Sequence, residues 1–414
     1  MTKRHKKSII AKIKGSKKQT KLRAISTVLA IAVIGGIVML VSTKAATPSA
    51  KIEPESGTIN SPAQKITDSS ASGGSAVQFG ANTTENQTFT LASIPDTQAE
   101  VQSTGAYPRF LNRIQWIIDN KDKVNIKYIW QVGDLQDWDD ATHSHYERAS
   151  AGLKKLEQAG VPYALTVGNH DTAAVCYPGS ACPGINPSVA FRNIPTWDQY
   201  YPPSRFPGIH TMCSEFDTFN TRLMSAGPSG SDHNTPGYIK NQCKTKDTTA
   251  NAYRTFSAGG YKWVLINFEM WPRQAVQEWM KTILERYPDH NAIFFTHTFL
   301  HDDGTISGGF GGYGSPQGTP IAVYNNVLSK YANVRFVFSG HNGSSTCGEF
   351  TGVKGNKIYA YLNNRLSSNT NHMRLMKFDV AKKTVNFQEF VPSTGGTINA
   401  TSSCNTTKSF DFVK

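Results

Sequence analysis

The chain has 414 residues, 43 Lys and Arg against 30 Asp and Glu, a formal net charge of +13 and 38% hydrophobic residues. That hydrophobic share is ordinary for one large domain or several average ones and excludes a chain too polar to bury a core. The charge does not make the folded part a nucleic-acid binder, because residues 1–23 hold ten of the cations and no acid, leaving +13 − 10 = +3 for everything after.

Behind this basic tail, residues 24–41 read "AISTVLAIAVIGGIVMLV", 18 residues without a charge. A hydrocarbon core takes roughly 20 apolar residues to cross, and Lys and Arg stay on the cytoplasmic side, so the order predicts a membrane segment with residues from 42 onward outside. The tail then serves topology rather than nucleic-acid binding. Thr43 and Ala45 offer small residues to a signal peptidase, which would release the protein. The apolar run is longer than most signal h-regions and favours an uncleaved anchor. Residues 42–86 form a Ser/Gly/Ala-rich extracytoplasmic linker with one strand pair around "ASGGSAVQFG" at 71–80. Some 35 residues of this kind cannot bury a core of their own.

From residue 87 short apolar runs alternate with helical spacing. "TFTLASIP" predicts a strand, "RFLNRIQWIIDNK" a helix, "IKYIWQVGD" a strand, "HYERASAGLKKLEQAG" a helix and "PYALTVGNHD" a strand entering a loop. This βαβαβ order predicts a layered α/β domain with a largely parallel sheet. Residues 172–252 lose periodicity and gather four of the six cysteines, as an insertion held by disulfides would. A hairpin around Gly259 and Gly260 follows, then a helix from about Gln274 to Arg286, the strand "NAIFFTH", a Gly-rich loop at 304–318, a helix, and the strand "VRFVFSGHN". "KIYAYLN", "HMRLMKFDV" and "KTVNFQEFV" read as antiparallel strands of one closing sheet. Six cysteines in an exported chain point to disulfides and allow fifteen pairings. The pairing Cys176–Cys182, Cys213–Cys243 and Cys347–Cys404 is preferred, since each of the first two pairs brackets one polar loop and the third ties the tail to the last core loop.

The strand ends share a feature. "IPDTQ", "QVGDLQD", "TVGNHD", "FFTHTF" and "FSGHNG" each set Asp, Asn or His just past an apolar run. Ligands of open α/β sheets sit outside the carboxyl ends of the strands, so Asp96, Asp134, Asn169, His170, His297 and His341 are expected on one rim. Singly each is an ordinary turn or surface residue; together they are an oxygen and nitrogen donor set suited to Mn, Fe, Zn or Mg. Gly133, Gly168 and Gly340 each precede a candidate ligand, where a missing Cβ lets the chain turn and a ligand approach. Trp138, Trp271 and Tyr313 are candidates for shaping a pocket and equally for packing.

"GD" at 133–134, "GNHD" at 168–171, the strand-end His297 and "GH" at 340–341, in this order, resemble the calcineurin-like metallophosphoesterases, in a subgroup whose first motif reads "IPDTQ". The resemblance spans roughly residues 87–392. It implies a four-layer α/β/β/α sandwich over residues 87–414, two divalent metal ions, and a phosphoester substrate. Carried over by motif, Asp134 would bridge the ions, Asn169, His297 and His341 would complete one site, and Asp96 would serve the other. His170 would steady the phosphoryl group or protonate the leaving oxygen. Asp137 matches the acid that orients this histidine in several such phosphatases; the same offset carries a Tyr ligand in purple acid phosphatases, and a solvated member of "DWDD" is the plain alternative.

Two positions depart from the family pattern. The usual D-x-H has Gln98 in place of its His, and the usual GH-x-H has Gly343 in place of its second His. Both fall on the same ion, whose set reduces to Asp96, Asp134 and the Gln98 amide, so that ion is expected to bind more weakly. Two functions fit: an exported metal-dependent phosphoesterase, or a cell-surface binding protein on a weakened phosphoesterase scaffold.

Overall fold

The computed structural model describes residues 57–59, 63–68, 70–79, 88–225, 236–309, 318–343, 345–364, 370–398 and 402–413. The basic tail, the apolar run at 24–41 and most of the linker lie outside these. Among the described residues no helix is long and apolar enough to cross a membrane. The chain divides into two compact units at Ala81. In the first, β1 (Ala63–Thr67) and β2 (Ser75–Phe79) pair antiparallel from Ala63↔Phe79 to Thr67↔Ser75, the strand pair expected of the linker.

The second unit begins with β3 (Thr88–Ile94), α1 (Gln98–Val101), α2 (Tyr107–Asn120), β4 (Ile126–Gln131), α3 (Ser144–Gln158) and β5 (Tyr163–Leu165). Apolar spacing makes α2 amphipathic, with Phe110, Ile114 and Ile117 buried on one face. The segment expected to be irregular contains β6 (Val175–Cys176), β7 (Ser180–Ala181), α4 (Pro187–Ala190), α5 (Pro195–Tyr200), β8 (His210–Thr211), α6 (Phe216–Ser225) and α7 (Pro236–Thr245). Then come β9 (Ala252–Ala258), β10 (Tyr261–Asn267), α8 (Gln274–Arg286), β11 (Asn291–Phe295), α9 (Pro320–Asn326), β12 (Val334–Ser339), β13 (Ser345–Thr351), β14 (Lys357–Asn363), β15 (Met373–Asp379), β16 (Thr384–Val391), β17 (Gly396–Thr397) and β18 (Thr407–Ser409).

These strands build two mixed sheets. The first runs β17-β16-β15-β3-β4-β5, with β18 on β16, and β3, β4 and β5 are parallel. The second runs β13-β14-β12-β11-β10-β9-β8, with β10, β11, β12 and β14 parallel. An aromatic core fills the space between them, where Phe89, Trp130 and Phe378 meet Trp263, Phe295, Phe336 and Phe338. Trp130 and Phe338, one from each sheet, have ring centroids 4.9 Å apart. Each such side chain contributes about 1.5–3 kcal/mol by burial, so the sheets are held face to face chiefly here. α2 and α3 cover the outer face of the first sheet, and α6, α8 and α9 that of the second.

One expectation is corrected. The three C-terminal runs do not share a sheet: β14 lies parallel to β12 in the second, while β15 and β16 extend the first beside β3. Sequence proximity made them look like one meander, but β14 is buried over six consecutive residues, five of them apolar, as a strand covered on both faces is. The 172–252 segment, expected as an insertion held by disulfides, is built into both halves of the second unit. β8 forms an edge of the second sheet, Phe216, Phe219 and Leu223 of α6 join the core under α8, and Trp197 and Tyr201 join the core of the first sheet. The disulfides are Cys176–Cys182, Cys213–Cys243 and Cys347–Cys404, the preferred pairing.

Candidate metal centre

The carboxyl ends of β3, β4, β5, β11, β12 and β14 meet on one rim, and loop hydrogen bonds fix them there. Thr97 and Gln98 both donate their backbone N–H to the Asp134 carbonyl at 3.0 Å, locking the turn after β3 onto the turn after β4. Asp171, the last residue of "GNHD", accepts from the Leu135 N–H at 3.0 Å and the Gly168 N–H at 2.7 Å, tying the turns after β4 and β5 together. The three glycines are required by close approach. A Cβ at Gly133 would fall on the His297 ring, one at Gly168 on the Asp134 carboxylate, and one at Gly340 on the Asp96 carboxylate. Asp134 and His341 themselves lie at φ +52° and +73°. Such left-handed backbone costs non-glycine residues of order 1–3 kcal/mol and persists where surroundings over-determine it.

Four candidate ligands converge. His297 Nε2 lies 3.0 Å from Asp134 Oδ2, 3.1 Å from Asn169 Oδ1 and 3.1 Å from His341 Nδ1. His341 Nδ1 is 3.0 Å from Asn169 Oδ1. The other nitrogen of His297 is committed, Nδ1 donating to the Val132 carbonyl at 2.9 Å, which leaves Nε2 as the electron-pair donor. Metal–ligand bonds of about 2.1 Å put neighbouring donors of a six-coordinate ion roughly 3 Å apart, the spacing found. Charge agrees with this. Burial opposes ionisation of Asp134, but His297 and His170 more than offset it and hold the carboxyl well below its usual range. Burial, then His297, pushes His341 down to about 3, so its imidazole is neutral and available. Burial lowers His297 too, yet Asp134 outweighs this and lifts it to about 9, so a cation arriving here displaces a proton.

Asp96 is buried beside this group. Its Oδ2 accepts from the His341 backbone N–H at 2.9 Å and from Asn364 Nδ2 at 2.8 Å, whereas Oδ1 has no hydrogen-bond partner among the described residues. Burial raises its carboxyl well above the usual range. Gln98 shows the same pattern: Oε1 is buried without a hydrogen-bond partner among the described residues, while Nε2 lies 3.4 Å from both Asp137 Oδ1 and His170 Nε2. Two buried oxygens without partners are what a hard cation satisfies, so Asp96 and Gln98 fit a second ion.

His170 sits at the edge of the group. Its backbone N–H donates to Asp134 Oδ1 at 2.9 Å, and its Nδ1 lies 2.6 Å from the Asp137 carbonyl and 3.1 Å from Asp137 Oδ1. Nε2 therefore faces the rim, 3.9 Å from Asp134 Oδ2. Burial lowers its pKa, but Asp134 and then Asp137 raise it to about 9. A cation on Asp134 cancels part of that pull. Asp137 is itself gripped by Gln102, whose Nε2 donates to Oδ2 at 2.6 Å. Trp271 is fully buried packing, and Tyr313 lies outside the described residues.

Asn364, Asp171 and Gln102 were missed. Asn364 follows an apolar run as the other ligands do, and that signal was readable. Asp171 stood inside the "GNHD" motif without being given a role, and Gln102 carries no signal, since clamping a loop leaves no mark in spacing.

The family model for calcineurin-like phosphoesterases matches residues 89–343. The uncharacterized protein YvnB of Bacillus subtilis (strain 168) is 24% identical over 258 residues, which are 62% of this chain and 15% of that protein, so the chain spans about a seventh of this relative's length. A dimetal phosphatase from Danio rerio aligns with TM-score 0.41 and 12% identity over 73% of this chain and 95% of its own. The purple acid phosphatase PPD1 from yellow lupin (Lupinus luteus) seeds aligns with TM-score 0.42 and 14% identity over 79% of this chain and 55% of its own.

Proposed function

Because the chain belongs to the calcineurin-like phosphoesterases, we propose that it is an exported, metal-dependent phosphoesterase that hydrolyses a phosphomonoester or phosphodiester. The observation that carries this is the convergence of Asp134, Asn169, His297 and His341 donor atoms at about 3 Å, with a second buried carboxylate, Asp96, alongside.

Asn169, His297, His341 and Asp134 would hold one divalent cation, and Asp96, Asp134 and Gln98 the other. When bound, such a pair supplies Lewis-acid charge to the phosphoryl oxygens and a nucleophilic water near neutral pH. The rest falls to the chain. Asp134 and Asp96 set the negative charge of the site, and the glycines keep both carboxylates where they are. His170, its ring fixed through Nδ1 by Asp137, presents Nε2 to the leaving oxygen and gives it a proton. Asp137, held by Gln102, acts as the orienting acid of that histidine rather than as a ligand.

The membrane reading rests on the basic and apolar order of residues 1–41, and the three disulfides support an oxidising compartment. The replacements at Gln98 and Gly343 favour a weaker second ion and, taken further, the alternative of a surface binding protein on this scaffold. Metal analysis by mass spectrometry, with p-nitrophenyl phosphate and bis-p-nitrophenyl phosphate assays, decides between them. The enzyme reading expects stoichiometric metal and turnover that falls about 10²- to 10⁴-fold in His170→Ala with metal retained. Absence of both metal and turnover rejects it.

A further inference from the structure

A short loop packs against Asp137, the residue that fixes the His170 ring. It runs from Cys176 to Cys182, closed by their disulfide and by the two-residue pairing of β6 with β7. Its backbone presses on the residue that orients His170. Gly179 lies at φ +93°, and a Cβ there would stand 3.0 Å from Asp137 Oδ1. The same loop carries Tyr177, a residue 78% exposed, whose ring meets that of Trp138 edge-on with centroids 5.4 Å apart. Trp138 follows Asp137 in the chain and is braced from another side by His145, at 4.7 Å between ring centroids.

A solitary exposed tyrosine is unremarkable. This one differs in being fixed. The disulfide closes its loop, the Gly179 backbone approaches Asp137, and Trp138 supports the ring, so an aromatic face is held in water on a loop packed against the residue that fixes the His170 ring. Pre-fixed aromatic faces bind planar rings with little ordering cost. We propose that Tyr177, backed by Trp138, is a stacking platform for a leaving group that bears a nucleobase or other aromatic ring, which makes it a specificity-determining residue. The assignment rests on the phosphoesterase reading.

Adenosine 5′-monophosphate and ribose 5-phosphate share the scissile ester and differ by the nucleobase, which makes them the probes. In the metal-loaded full chain the nucleotide is preferred in kcat/KM, and Tyr177→Ala reduces that preference roughly 5- to 150-fold, the range set by about 1–3 kcal/mol for stacking on one aromatic side chain. The loss appears in KM rather than kcat. Tyr177→Phe keeps the preference. Equal kcat/KM for the two esters in the parent chain, or a preference that survives in Tyr177→Ala, overturns the proposal. If neither ester turns over, the phosphoesterase reading has failed separately, and calorimetric titration with the same pair still decides: tighter nucleotide binding that Tyr177→Ala abolishes supports the platform, and equal binding refutes it.

Discussion

Gly340→Ala puts a methyl group where the Asp96 carboxylate now lies. A Cβ there would fall on Oδ1 and within 3.0 Å of Val132 Cγ2. The backbone at 340 is not in the left-handed region, so the cost is steric alone. Asp96 is short and its Oδ2 is held by His341 N–H and Asn364 Nδ2, so it yields by giving up one of those bonds. A hydrogen bond to a charged group contributes roughly 1.5–3 kcal/mol, which converts to a loss of about 10- to 150-fold in affinity for the ion that Asp96 helps to hold. Calorimetric titration of chelator-stripped full chain with Mn²⁺, and metal analysis at limiting Mn²⁺, read this directly. The ion served by Asn169, His297 and His341 is retained while the other is lost. Gly343→Ala is the control, since nothing lies within 4 Å of a Cβ at that position. Two ions bound at parental affinity in Gly340→Ala, or equal weakening in Gly343→Ala, refutes the reasoning.

Restoring both family imidazoles, in Gln98→His with Gly343→His, should tighten the weaker ion by at least about tenfold, or ~1.4 kcal/mol, in the same titration. No change would show that these positions do not face the ion. Glu269 accepts from Arg273 Nε at 2.9 Å and Nη2 at 3.0 Å, and from Arg192 at 3.3 Å. Burial would raise its carboxyl, but the two guanidiniums hold it well below the usual range. A carboxyl lowered on folding stabilises above its unfolded value of about 4.3 and loses that stabilisation as pH falls through the folded one. Glu269→Gln leaves two buried arginines unpaired and should cost about 3–5 kcal/mol at pH 7 by urea denaturation, with a smaller difference at strongly acid pH. An equal difference at both would contradict this. Chelation should lower the unfolding midpoint and speed amide exchange at the ends of β3, β11 and β12 before elsewhere; at metal 100-fold above its dissociation constant the stabilisation is about 2.7 kcal/mol. Uniform acceleration across both sheets would argue against a centre placed at the strand ends.

Much of the site was legible because strand ends and glycines leave local marks. The apolar runs before Asp96, Asp134, Asn169, His297 and His341 located the rim, and the glycine before a ligand located the tight approaches. What stayed hidden was non-local. Nothing in "KIYAYLN" says that it lies beside β12 rather than β15, since both neighbours offer an apolar strand. The 172–252 segment looked irregular because its helices are short and three of the four start at prolines, yet buried aromatics from it, Trp197, Phe216 and Phe219 among them, belong to the main cores. Gln98 was read as a ligand replacement; its amide nitrogen, directed at Asp137 and His170, is a contact that only the fold reveals.

The polar rim is also where one sheet is attached to the other. His297 of the second sheet bonds the Val132 carbonyl of the first, and Asp96 of the first accepts from His341 and Asn364 of the second. An ion held by Asp134 and His297 would fasten the same edge. Selection for a stable sandwich therefore acts on the same side chains as selection for hydrolysis. A descendant that stopped turning over phosphoesters would be under pressure to keep its aspartates and histidines, and would shed His170 and Tyr177 first. Across relatives, loss of those two residues would mark an enzyme that has become a scaffold more sharply than loss of a single ligand.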